Sequence, residues 1–83
     1  MNLSAAFGIV LRRLRTEKKV SQEELAAQSG FHRTYISLLE RGKKSPSLNT
    51  IFKLSSSLGL PLKDFMSMVE KEIKDLNKID LEQ

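Results

Sequence analysis

The chain has no cysteine, one histidine, one tyrosine and an aromatic content of only 6% in 83 residues. Without thiols there is no disulfide framework, no thiolate metal site and no thiol-based redox sensor. A lone histidine without cysteine leaves too few donors for a transition-metal site. No apolar run approaches the roughly 18 residues of a membrane span, and the start of the chain lacks a basic region followed by an uninterrupted apolar stretch. A cytoplasmic protein with no membrane partner is expected. No glycine-rich loop is present to cradle a phosphate, and no serine has a paired base. The expectation is therefore a protein that is not an enzyme and uses no cofactor.

No stretch alternates β-branched and polar residues for the length of a strand. Apolar positions recur instead at steps of three and four, and an apolar content of 40% with few aromatics suits an aliphatic helical core. The fold class is all-α, with five helices. The first is expected over about Ser4 to Lys18, with Phe7, Val10, Leu11 and Leu14 on one face and Arg12, Arg13, Arg15 and Lys19 around it. Ser21 followed three residues later by Glu24 reads as a capping box. It opens a second helix from Gln22 to Ser29 that stops at Gly30, a residue suited to a left-handed helix end. A third helix runs from His32 to Arg41 and ends at Gly42. Ser47 caps a fourth from Leu48 to Leu58, and Pro61 fits the first turn of a fifth. All of this makes one domain, residues 1–79, with residues 80–83 expected to fray.

Charge is distributed unevenly. Residues 1–53 hold ten Lys/Arg and four Asp/Glu, a balance of +6, whereas residues 54–83 hold four and six, a balance of −2. The first two thirds of the chain favour an anionic partner.

Two short helices joined by a tight turn at Gly30 make a helix-turn-helix. Ala26 lies where the two helices cross and must be small, while Leu25, Ile36 and Leu39 supply the shared core. On a wheel of about 100° per residue, Arg33, Ser37 and Arg41 fall within about 80° of one another, with Thr34 beside them. Ile36, Leu39 and Tyr35 take the opposite arc. A short helix that buries one face and points hydrogen-bond donors outward from its N-terminal end suits the reading of base edges in the major groove.

Residues Ser21 to Pro46, in the stretch SQEELAAQSGFHRTYISLLERGKKSPS, resemble the helix-turn-helix of the lambda-repressor-like (Xre) family of bacterial and phage regulators. The five-helix layout of residues 4–70 agrees with that family's compact domain. Within the family, RTYIS followed by ERGKKSPS in a stand-alone chain is similar to the controller proteins of restriction-modification systems, which regulate their own operons as dimers. Free-standing prophage and mobile-element repressors share that look. The resemblance implies a sequence-specific transcription regulator that binds an inverted-repeat operator in double-stranded DNA as a homodimer, with no small-molecule effector. A different use of the same fold is an antitoxin or protein-interaction module, for which the outward face of the third helix is more polar than a protein-binding hot spot needs.

Carried over position by position, the resemblance implies roles for individual residues. Arg33, Thr34 and Ser37 match base-contacting positions, where Arg is bidentate to guanine and Thr touches a thymine methyl. Tyr35 has two readings, contact with a base or phosphate and packing beside the second helix; Leu38 likewise borders the outward arc. Gln22 matches a position that bonds a phosphate at a helix start. Arg41, Lys43 and Lys44 follow the recognition helix and match backbone-gripping positions, with Ser47 and Asn49 as further phosphate contacts or caps. His32 departs from the family's usual Ser, Thr or Asp, so its cap is in question, and its ring is placed on a phosphate. Glu40 matches a residue that pairs with an Arg of the first helix, and Arg15 is that match: a structural ion pair.

Leu62, Phe65, Val69, Ile73 and Leu76 repeat at steps of three and four past the point where a five-helix monomer needs cover. They are assigned to the dimer interface, against an alternative in which Ile73 and Leu76 cover the monomer's own first helix.

Overall fold

A computed structural model describes residues 2–82, with side chains described through residue 77. The elements are α1 (Leu3–Glu17), α2 (Gln22–Ser29), α3 (Arg33–Glu40), α4 (Leu48–Ser57) and α5 (Leu62–Glu82). No strand occurs among the described residues. Five helices are as expected, and the ends of the first four differ from the sequence reading by a residue or two. α5 is helical to Glu82, and Gln83 lies outside the described residues.

Each helix start has a local cause. Asn2 caps α1 by accepting from the amides of Ser4 and Ala5, and the helix starts at Leu3, one residue before the expected start at Ser4. Ser21 and Glu24 close the capping box reciprocally, at 3.0 and 3.1 Å. His32 stands at the N-cap of α3 but makes no side-chain cap bond, as its weak capping chemistry implies. Ser47 caps α4 by accepting from the Thr50 amide.

The α1 stripe of Phe7, Val10, Leu11 and Leu14 is buried, together with Leu25, Ala26, Ile36, Leu39, Leu54, Leu58, Phe65 and Val69. α1 is the central element, packed along α5 on one side and against the end of α3 on the other. Gly8 makes the second contact possible. A Cβ there would sit against the carbonyl oxygen of Leu39 and 2.6 Å from that of Glu40, so only glycine lets the two backbones come this close.

Two residues of the α5 stripe assigned to the dimer interface are taken up by the monomer's own core. Phe65 is fully buried and Val69 is 1% exposed, with the Phe65 ring stacked on Phe7 at 5.2 Å between centroids. Ile73 and Leu76 are half-buried against the same core, and Leu62 is half-buried too. The stripe is long because α1 is long, and α5 uses it to cover α1. Arg13 Nη2 and Glu72 Oε1, 2.9 Å apart, join the two helices at the rim. Phe65 and Val69 cannot also face a second subunit.

Candidate nucleic-acid interface

α2 and α3 meet through Leu25, Ala26, Ile36 and Leu39, all buried. Gly30, at φ +79°, turns the chain between them, a left-handed conformation that other residues reach only at a cost. The Phe31 amide then donates back to the Ala26 carbonyl at 2.9 Å, closing the end of α2. The tight turn fixes the direction in which α3 leaves α2.

With Ile36 and Leu39 turned inward, α3 presents Arg33, Thr34 and Arg41 to solvent, with Ser37 and Leu38 half-exposed. Among the described hydrogen bonds, the side chains of Arg33 and Thr34 have no protein partner. Arg41 Nε makes only a long 3.4 Å bond to the Ser37 carbonyl. Lys43, Lys44 and Asn49 continue the exposed surface past the end of α3, and His32 is exposed at its beginning. The exposed residues of this set are thus left accessible at the surface.

The helix-turn-helix is anchored to the rest of the domain by Arg15 and Glu40. Arg15 Nε donates to Glu40 Oε2 at 2.6 Å and Arg15 Nη2 to Glu40 Oε1 at 3.0 Å, a bidentate pair whose side chains are 12% and 3% exposed. Arg15 Nη1 also donates to the Val20 carbonyl at 2.9 Å, and Gln22 Nε2 donates to Glu40 Oε1 at 3.0 Å. One carboxylate therefore ties α1, α2 and α3 together. The hydrogen bonds that Arg15 donates to Glu40 raise the Arg15 pKa above its already high ordinary value, against the opposing effect of burial. The guanidinium stays charged throughout the neutral range.

Gln22 has one amide proton committed to Glu40. Ser47 accepts from the Thr50 amide and donates its hydroxyl proton to Thr50 Oγ1, both at 3.1 Å, so its side chain is occupied within α4. The amides of Leu48 and Asn49, next along this helix start, have no described partner and point along the positive end of the helix. The Tyr35 ring packs on Phe31 with centroids 5.1 Å apart, and its hydroxyl lies 3.1 Å from Thr50 Oγ1. Thr50 was not singled out from the sequence. Its position after Ser47 signals only a helix start, because the partner that gives it meaning is 15 residues away.

Comparison with known proteins agrees with this arrangement. A family model described as "Helix-turn-helix" matches residues 11–65. This chain belongs to the helix-turn-helix family. The family match spans the ion pair, the turn, α3 and the start of α5. Among curated relatives, control protein C.MunI of a Mycoplasma species is 43% identical over 72 residues, covering 86% of this chain and 97% of that one. Among solved structures, the clp gene regulator ClgR of Corynebacterium glutamicum superposes with a TM-score of 0.86 at 30% identity, covering 98% of this chain and 87% of that one. The restriction-modification controller protein C.Esp1396I, solved as a tetramer in complex with its natural 35-base-pair operator, superposes with a TM-score of 0.81 at 32% identity, covering 88% and 96%. Among the described residues, no helix is long and apolar enough to cross a membrane, and no cluster of potential metal ligands is found.

Proposed function

We propose that this protein is a sequence-specific transcription regulator that binds an inverted-repeat operator in double-stranded DNA as a homodimer, and that it serves as the controller protein of a restriction-modification system in the cytoplasm. The observation that carries this reading is the outward face of α3. Arg33 and Thr34 are exposed and uncommitted at the N-terminal end of a helix whose opposite face is locked into the core. That is the disposition a major-groove reader needs. Arg33, Thr34, Ser37 and Tyr35 contact bases or the adjoining backbone. His32, Arg41, Lys43, Lys44, the free amide proton of Gln22, and the first turn of α4 with Asn49 hold phosphates, which set register and carry no sequence information. The controller role is supported by the likeness to C.MunI over nearly its whole length and to C.Esp1396I.

With Phe65 and Val69 consumed by the monomer, the dimer needs another apolar surface. Leu48 and Phe52, one turn apart on α4, are 71% and 56% exposed. We place the second copy of the chain there, because the monomer leaves these two side chains uncovered and a two-fold pair buries such a patch against itself. Fluorescence anisotropy with DNA from the region upstream of the protein's own gene and with a scrambled duplex of equal length tests the function. Tighter binding to the upstream DNA at physiological salt is expected. Equal affinity for both would leave only a non-specific electrostatic binder.

A further inference from the structure

A chain of hydroxyl groups leads from the cap of α4 to the recognition helix. The Thr50 amide donates to Ser47 Oγ, Ser47 Oγ donates to Thr50 Oγ1, and Thr50 Oγ1 lies beside Tyr35 Oη, each at 3.1 Å. Each hydroxyl carries a single proton, and either Thr50 or Tyr35 can donate in the last bond. Thr50 is only 6% exposed. When an anionic acceptor stands beside Tyr35, the arrangement in which Thr50 donates to Tyr35 leaves the Tyr35 O–H for that acceptor.

Other contacts keep the phenol in place. Phe31 packs against the ring at a 59° tilt, and Lys53 Nζ sits 5.6 Å from the centroid of Phe31. The Tyr35 hydroxyl is thus held between α3 and the first turn of α4, at Thr50.

We propose that Thr50 is a positioning residue for DNA binding: it fixes Tyr35 so that the tyrosine hydroxyl donates to a backbone phosphate oxygen of the operator. The inference rests on the reading of α3 as the recognition helix. All bonds of the chain run in one direction, from the α4 backbone through Ser47, Thr50 and Tyr35 to the phosphate, and each polarises the next. Thr50 also sets the spacing between the base-reading helix and the phosphate-holding helix start, so the ordering is complete before DNA arrives.

The test uses a duplex enriched from a randomised library by the wild-type protein, together with a scrambled control. Tyr35→Phe and Thr50→Val should each weaken binding to the enriched duplex by about 3- to 10-fold, the worth of one hydrogen bond. The double variant should bind no more weakly than the weaker single one, and Thr50→Ser should restore wild-type affinity. Tyr35 is the chain's one tyrosine and there is no tryptophan, so intrinsic emission of the free protein reports this phenol alone. It should change in Thr50→Val and not in Thr50→Ser. Wild-type affinity in Thr50→Val, or losses that multiply in the double variant, would show that Tyr35 acts without Thr50 and overturn the proposal. So would a lower melting temperature with unchanged affinity of the folded protein, which would make Thr50 a cap and nothing more. A wild-type protein that enriches no duplex overturns the reading of α3 and this proposal with it, whereas normal enrichment with a silent Thr50→Val overturns this proposal alone.

Discussion

Replacing Glu40 by glutamine keeps the shape of the side chain and removes its charge at the junction of three helices. The carboxylate accepts from Arg15 Nε, Arg15 Nη2 and Gln22 Nε2 at 2.6, 3.0 and 3.0 Å. A glutamine keeps one accepting oxygen and turns an amide N–H₂ toward a guanidinium that can only donate. Arg15, its side chain 12% exposed, is left as a nearly buried charge whose remaining described partner is the Val20 carbonyl. Breaking a buried pair by removing one member costs about 3–5 kcal/mol, and the surviving acceptor places Glu40→Gln at about 3 kcal/mol. A domain of this size has roughly 4–12 kcal/mol of stability in all. Melting should therefore fall by about 12–24 °C, at about 4–8 °C per kcal/mol. Thermal and urea denaturation followed by circular dichroism give the stability, and anisotropy at a temperature where the variant is folded gives the affinity. The expected outcome is a large loss of stability with operator affinity of the folded fraction within about twofold of wild type. An unchanged melting temperature with collapsed affinity would refute the structural role and move Glu40 into the recognition surface.

Other substitutions separate the remaining parts of the account. Lys43→Ala and Lys44→Ala should weaken operator and scrambled DNA alike, and each should flatten the log–log salt dependence by about 0.9; an unaltered slope would remove that lysine from the phosphate contacts. Gly8→Ala should cost about 1–3 kcal/mol in urea unfolding, because the new methyl meets the backbone of α3 and backbone cannot rotate away; wild-type stability would mean that α1 and α3 have room to part. Val69→Glu should unfold the monomer, whereas Phe52→Glu should leave a folded protein that light scattering finds monomeric and that binds operator weakly; a Phe52→Glu protein that remains dimeric would place the interface off α4.

The helix-turn-helix was legible in the sequence because its signals are local. Ser21 with Glu24 marks one helix start, Gly30 needs its left-handed turn, and the spacing of Ile36 and Leu39 sorts α3 into an inner and an outer face without reference to any distant residue. The Arg15–Glu40 pair lies 25 positions apart and came from the family pattern, not from spacing. What the sequence withheld depends on which surfaces meet. An apolar stripe of period 3.6 on α5 reads the same whether it covers α1 of its own chain or a second subunit, and Phe65 stacked on Phe7 is the fact that decides. Gly8 looks like an ordinary small residue within a helix until the backbone of α3 is laid against it. Gln22 read as a free polar side chain because nothing nearby announces that Glu40 engages it, whereas Ser47 was legible as a cap, which it is. Tyr35 read equally well as contact or packing, because Thr50, the partner of its hydroxyl, is 15 residues away.

Selection of duplexes from a fully randomised library, carried out in parallel with wild-type protein and Arg33→Ala, tests the central claim most directly. The wild type should enrich a two-fold-symmetric motif whose half-sites are centred about 34 Å, one helical turn, apart. Arg33→Ala should lose about 1–3 kcal/mol of discrimination at one position of each half-site while its affinity for random DNA changes little. No enriched motif for the folded wild-type protein, or an enriched motif that Arg33→Ala reads identically, would contradict the assignment of α3 as the helix that reads the operator.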